Sequence, residues 1–138
     1  MQRSTSPIDI VQTIYEGFER NDLDAVLALC APDVVVIQDP ALPWGGTFHG
    51  PAGVIDFVTK LTATIDSTVE AEQLFQAGDR VVEYGRTRGT ARTNGATFDT
   101  SECHLWTIRN GFVQQAEFLI DTPAMLAVLA QESTSWTR

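Results

Sequence analysis

Basic residues are scarce in this chain. Nine Lys and Arg stand against eighteen Asp and Glu, for a formal net charge of −9. A nucleic-acid binder needs a basic face to displace counterions from phosphates, so that class is excluded. Long apolar runs are missing too. None approaches the roughly 20 residues that cross a bilayer, so no membrane partner is expected. The first residues, Met1 to Pro7, hold no apolar signal core, which makes the cytoplasm the expected location. Cysteine is limited to Cys30 and Cys103. No Cys-x-x-Cys occurs and the spacing fits no zinc pattern, so two reduced, mostly buried thiols are expected and no metal.

What remains is enough for one folded unit. The 138 residues are 43% hydrophobic, which suits a single domain over residues 1–132 and a loose tail over 133–138 that includes Trp136. Ile8, Val11, Ile14, Tyr15 and Phe18 recur at helical spacing, with Pro7 suited to the first turn. Asp22 caps a second helix that buries Val26, Leu27 and Cys30, and Pro32 lies past its end. Val34 to Ile37 is a β-branched run and reads as a strand. Gly50-Pro51 opens a third helix with Val54, Phe57, Val58, Leu61 and Ile65 on one stripe.

Beyond it the period changes. Four strands are expected over Thr68 to Ala77, Arg80 to Ala91, Thr97 to Ile108 and Phe112 to Ile120. Turns at Gly78-Asp79, Thr93-Asn94-Gly95 and Asn110-Gly111 join them. A short helix follows Thr122-Pro123. Helices segregated onto one face of a mainly antiparallel sheet define an α+β layer fold. Long strands twist and curl, so the sheet becomes a cone whose interior can take a small ligand.

Candidate chemistry clusters late in the chain. His104 and Asp121 fall toward one end of the last hairpin, and an imidazole with a carboxylate moves protons near neutral pH. Asp121 directly precedes Thr122-Pro123, so its carboxylate equally suits a helix cap. Glu102, His104 and Trp106 alternate and share one face, and Cys103 faces the other way. Asp39 precedes Pro40 and is either a base or a turn residue. The segment from Asp39 to Phe48 is rich in Pro and Gly yet carries Leu42, Trp44 and Phe48, so it packs on the core or covers a cavity mouth. Tyr15, Trp44, Phe57 and Trp106 are candidate pocket walls. Of Glu83 and Tyr84 only one can face inward, and alternation with Val82 favours Tyr84. Arg86, Arg88 and Arg92 read as a solvated outer face or as an anion contact at the pocket rim.

Four stretches carry a resemblance: Tyr15 to Asp24, Gly50-Pro51 with its helix, His104 to Gly111, and the last strand ending in Asp121. In their order and spacing the chain resembles the nuclear transport factor 2-like cone fold, and within it the SnoaL-like polyketide cyclases. That resemblance implies Asp121 as the acid-base residue, His104 beside it, and no cofactor. Asn21 to Asp24 and Gln38-Asp39-Pro40 are similar to ketosteroid isomerases, which implies Asp39 as a base. The implied function is a cofactor-independent isomerase or cyclase acting beside a carbonyl of a small hydrophobic molecule, with lyase or hydrolase chemistry less favoured. The alternative is a non-catalytic binding or interaction domain of the same fold. Many relatives form homodimers, and a homodimer is expected here.

Overall fold

The computed structural model describes residues 6–132. The expected tail and Trp136 lie outside the described residues. Helix α1 (Pro7–Glu19) starts where Ser6 accepts the Asp9 N–H at 3.2 Å, and it buries Ile10, Val11 and Ile14 on one side. Asp22 caps the short α2 (Leu23–Leu27) through the Ala25 N–H. Strand β1 (Cys30–Gln38) begins earlier than Val34, and an irregular register between Cys30 and Val35 accommodates Pro32. Part of the expected loop is strand: β2 (Gly46–His49) pairs antiparallel with β1. Helix α3 (Gly50–Thr64) follows directly.

The remaining strands are β3 (Ile65–Ala77), β4 (Arg80–Ala91), β5 (Thr97–Arg109) and β6 (Phe112–Ile120), and α4 (Thr122–Leu129) closes the described chain. Asn110 and Gly111 both adopt positive φ, 54° and 81°, as a tight hairpin turn requires. The six strands run in the order β2-β1-β6-β5-β4-β3. All neighbours are antiparallel except β1 and β6, which are parallel. The sheet is therefore mixed, and it does not close, because β2 and β3 stay at its edges.

Helix α3 packs on β1 and β2, α1 on β3 and β4, and α4 on β5. Alternate residues of β5 point into the layer between sheet and helices: Phe98, Thr100, Glu102, His104 and Trp106 are all buried. On β4 the inward set is Val81, Glu83 and Thr87. Asn94, in the β4–β5 turn, donates to the carbonyls of Val128 and Gln131 and so ties that turn to the end of α4. Among the described residues no helix is long and apolar enough to cross a membrane.

Candidate functional site

A cavity of about 760 Å³ opens between the sheet and the helices. Its wall is mixed: Phe57, Leu61, Phe118 and Met125 line it together with polar residues such as Asn21, Asp66, Thr68 and Arg92. The loop before β2 folds onto this space. Trp44 is buried and lines the cavity, and its indole N–H donates to Gln38 Oε1 at 3.2 Å. Gln38 in turn donates to the Phe118 carbonyl at 2.9 Å, so the loop is anchored to β6.

Three hydrogen-bonded side chains, Tyr15, His104 and Trp106, meet at one part of the wall. Tyr15 reaches in from α1, and its hydroxyl lies 2.7 Å from His104 Nδ1. The Trp106 indole N–H donates to the same hydroxyl at 3.1 Å. Behind these groups stand two carboxylates. Tyr15 donates to Glu83 Oε1 at 3.3 Å in an alternative arrangement of its proton. Glu83 Oε1 is also 3.3 Å from His104 Nδ1, and Glu102 Oε1 is 3.3 Å from His104 Nε2. The Glu102 contact is close in distance but not aligned as a hydrogen bond, and both Glu102 oxygens lack a hydrogen-bond partner. Phe118 packs edge-on to His104 with ring centroids 4.7 Å apart.

Burial dominates the electrostatics. It pushes His104 down to about 3, so the imidazole is neutral at physiological pH. With its proton on Nε2, toward Glu102, the neutral ring accepts the Tyr15 proton at Nδ1; with its proton on Nδ1, it donates to the Tyr15 hydroxyl, which then donates to Glu83. Tyr15 is raised well above the ordinary phenol range, first by burial and then by the Glu83 charge, so it is a proton donor and not a phenolate. Glu102 is pushed up to about 9, first by burial and then by its carboxyl neighbour Glu83. Glu83 is raised as well, chiefly by burial.

Several expected site residues lie elsewhere. Asp121 is exposed, and its carboxylate accepts the Ala124 N–H at 3.1 Å as the cap of α4. The expected His104–Asp121 pair is replaced by His104 with Tyr15, Glu83 and Glu102. Asp39 is exposed and accepts the Ala41 N–H at 2.9 Å, which makes it a turn residue. Tyr84 is on the outer face and Glu83 points in, because the inward phase of β4 runs through Val81 and not Val82. Tyr15, Trp44, Phe57 and Trp106 do line the cavity, while Glu102 sits behind His104. Cys103 lies on the strand face opposite His104, and burial raises its thiol. Arg86 pairs with Asp99, and Arg88 with Glu70 and Asp99, on the outside; Arg92 reaches the cavity rim.

Glu83 was missed, although a signal for it exists. Residues directly opposed in an antiparallel pair share a face, and Glu83 is opposed to His104. Glu83, Glu102 and His104 offer ligand atoms within 4.8 Å of one another. Glu83 approaches Nδ1 and Glu102 approaches Nε2, each at 3.3 Å.

Residues 11–116 match the family model of the SnoaL-like domain. No curated protein matches the sequence. An NTF2-like protein of unknown function from Burkholderia pseudomallei is 31% identical over 92% of this chain and all of that one, with a TM-score of 0.85. An NTF2-like protein from Burkholderia thailandensis is 26% identical over 93% of this chain and all of that one, with a TM-score of 0.86. TerC, crystallised with polyporic acid, is 26% identical over 91% of this chain and all of that one, with a TM-score of 0.82.

Proposed function

The chain belongs to the SnoaL-like domain family, and from that premise we propose that it is a cofactor-independent acid-base enzyme. It acts as an isomerase or cyclase beside a carbonyl of a small hydrophobic substrate held in the cone. One observation carries this reading. The hydrogen-bonded run from Trp106 through Tyr15 to His104 lies on the wall of the cavity, beside the apolar side chains of Phe57, Phe118 and Met125. That TerC was crystallised with polyporic acid supports a small organic ligand for a cone of this kind.

At rest Tyr15 directs its proton to His104 Nδ1. A substrate carbonyl competes for that proton. As Tyr15 turns its O–H toward the carbonyl oxygen, Trp106 still donates to the phenol oxygen, and the Nδ1 lone pair is released. Nδ1 then takes the proton from the carbon next to the carbonyl. The C–H electrons form the carbon–carbon double bond of an enolate, whose oxygen Tyr15 holds. Return of the proton to another carbon gives isomerisation. Attack of the enolate carbon on a second carbonyl of the same molecule closes a ring, and the alkoxide formed takes back the proton from Nδ1. The base contributes on the order of 10²–10⁴ in rate. Asp121 and Asp39 have no part in this scheme.

The test is hydrogen exchange in D₂O. Wild type incubated with a panel of hydrophobic ketones is expected to introduce deuterium beside the carbonyl, followed by NMR. His104→Asn and Tyr15→Phe are expected to slow it by about 100-fold or more. Tight binding with the ligand recovered unexchanged would leave a binding domain in place of an enzyme.

The outer face of the sheet carries the proposed homodimer. Tyr84 and Leu119 are each 44% exposed and Phe75 is 47% exposed, all on strands β3 to β6. Exposed apolar side chains grouped on one sheet face are better covered by a second copy than by water.

A further inference from the structure

Behind His104 lies a pair of carboxylic side chains that the scheme above does not use as acids or bases. Glu83 is 0% exposed and Glu102 is 2% exposed. Glu83 on β4 is directly opposed to His104 on β5, and Glu102 precedes His104 by two residues on the same strand face. The pair draws no cation: among the described residues neither glutamate forms an ion pair with Lys or Arg, and each has only His104 within ion-pair distance. Glu83 Oε2 and both oxygens of Glu102 lack a hydrogen-bond partner.

The surrounding elements offer no relief. Helix α1 contributes the Tyr15 hydroxyl, and β6 contributes Phe118 and Ile120 opposite His104 and Glu102. Strand β3 adds a further acid, Glu72, at the bulge beside Gly85. Cys103 points to the other face. Two carboxylates so buried and so close cannot both stay charged, because each is desolvated and each repels the other. Two neutral acids would leave nothing to compensate an imidazolium. A single proton between them removes the repulsion and gives an orphaned oxygen a donor.

We propose that Glu83 and Glu102 hold one proton between them, and that this half-protonated pair poises His104. The inference rests on the acid-base reading of His104. With two negative charges beside it, His104 would rest as an imidazolium and could not take a substrate proton. With none, the imidazolium formed in turnover would have no counter-charge. With one, the ring is neutral at rest and compensated when it accepts a proton. Glu83 and Glu102 are positioning residues, since neither lines the cavity.

The decisive measurement is the infrared spectrum of the purified protein at neutral pH, with the carboxyl carbons of glutamate isotopically labelled. Wild type is expected to show one buried carboxylic-acid C=O band, lost in a single step on alkaline titration. Glu83→Gln and Glu102→Gln should each lower the pH at which that band is lost, because the remaining acid no longer ionises beside a second carboxylate. In the deuterium-exchange assay each single variant should stay within roughly threefold of wild type, so that additive losses would reach at most about tenfold, and the double variant should fall by about 100-fold or more. A purely structural pair would instead give additive losses. Absence of the acid band in wild type overturns the proposal. So does a single variant as slow as the double, or a stoichiometric divalent metal in the purified protein. If wild type exchanges nothing, the reading of His104 as a base has failed. The infrared result then still decides where the proton is, so the two failures are distinguishable.

Discussion

Glu83 and His104 face each other directly across β4 and β5, with Oε1 3.3 Å from Nδ1. Tyr15 completes the contact from α1, 2.7 Å from the same nitrogen. A helix and two strands distant in sequence thus converge on one imidazole. The cavity lies on one side of that ring and the buried acids on the other.

Removing the Tyr15 hydroxyl should cost stability as well as activity. In Tyr15→Phe the buried Trp106 N–H loses its acceptor and His104 Nδ1 loses its donor. Stranded buried groups of this kind cost about 1–3 kcal/mol. Chemical denaturation of the variant against wild type measures it. A change under about 0.5 kcal/mol would show that the indole N–H finds another partner.

Asp121 separates folding from function. Its carboxylate caps α4 through Ala124, so Asp121→Ala should destabilise by about 1 kcal/mol. The NMR signals of the His104 ring should not move, with exposed His49 as the reference in the same spectrum. A shift of His104 comparable to that in Glu83→Gln would return Asp121 to the site.

Much of the fold was legible because its signals are local. Helical periodicity gave α1 and α3, and the Asn110-Gly111 turn fixed the last hairpin. The β1–β2 hairpin was not legible, since Pro40, Pro43, Gly45 and Gly46 hide a short strand that only pairing with β1 creates. Half of the site was legible too. The alternation of Glu102, His104 and Trp106 on β5 put all three on one face, and that face is buried. Glu83 was lost because alternation was read along β4 alone, with Val82 as the guide. Across the turn, the Ala91 N–H bonds to the Ala96 carbonyl. Eight residues back from Ala91 is Glu83, and eight forward from Ala96 is His104. Asp121 misled for a different reason. A carboxylate just before Thr-Pro serves a helix start as well as a pocket, and spacing does not tell the two apart.

Stability should depend on pH in opposite senses at the two ends of the range. Glu102 rises from 4.5 to about 9 on folding. Between those values the folded chain keeps a proton that the unfolded chain has released, so stability falls as pH rises, by up to about 1.4 kcal/mol per pH unit. His104 falls from 6.5 to about 3. Its contribution is complete above 6.5 and is lost as pH drops toward 3. Between roughly 4.5 and 6.5 the His104 slope opposes that of Glu102, while Glu83, raised as well, adds to the decline. Midpoints of thermal unfolding should therefore decline from 6.5 to 9, where His104 no longer compensates. Glu102→Gln should flatten the alkaline decline, and an unchanged slope in that variant would remove Glu102 as its cause.

Gly85 gives the inward glutamate its room. A Cβ there would lie 2.1 Å from the Glu70 carbonyl oxygen and 3.0 Å from Glu83 Oε2. The backbone clash sits beside the bulge at Glu72, where β3 cannot simply back away without breaking its pairing with β4. Gly85→Ala should cost about 1–3 kcal/mol and displace Glu83. Retained stability, with the buried carboxylic-acid band in place, would show that the bulge absorbs the extra methyl.

The outer sheet face makes the last prediction. Tyr84, Cys103 and Leu119 form one row across β4, β5 and β6 by register, and Phe75, Val82 and Leu105 form the next. A row of apolar side chains crossing several strands offers a flat, self-complementary surface for a two-fold dimer. Wild type should sediment as a dimer at micromolar concentration. Tyr84→Glu combined with Leu119→Glu puts two buried charges on each side of the interface and should give a monomer. The inner face does not touch these side chains, so that monomer should keep the His104 ring environment of wild type. A wild type that sediments as a monomer would leave this face open. Loss of the His104 environment in the monomeric variant would mean that the cone needs its partner to hold its shape.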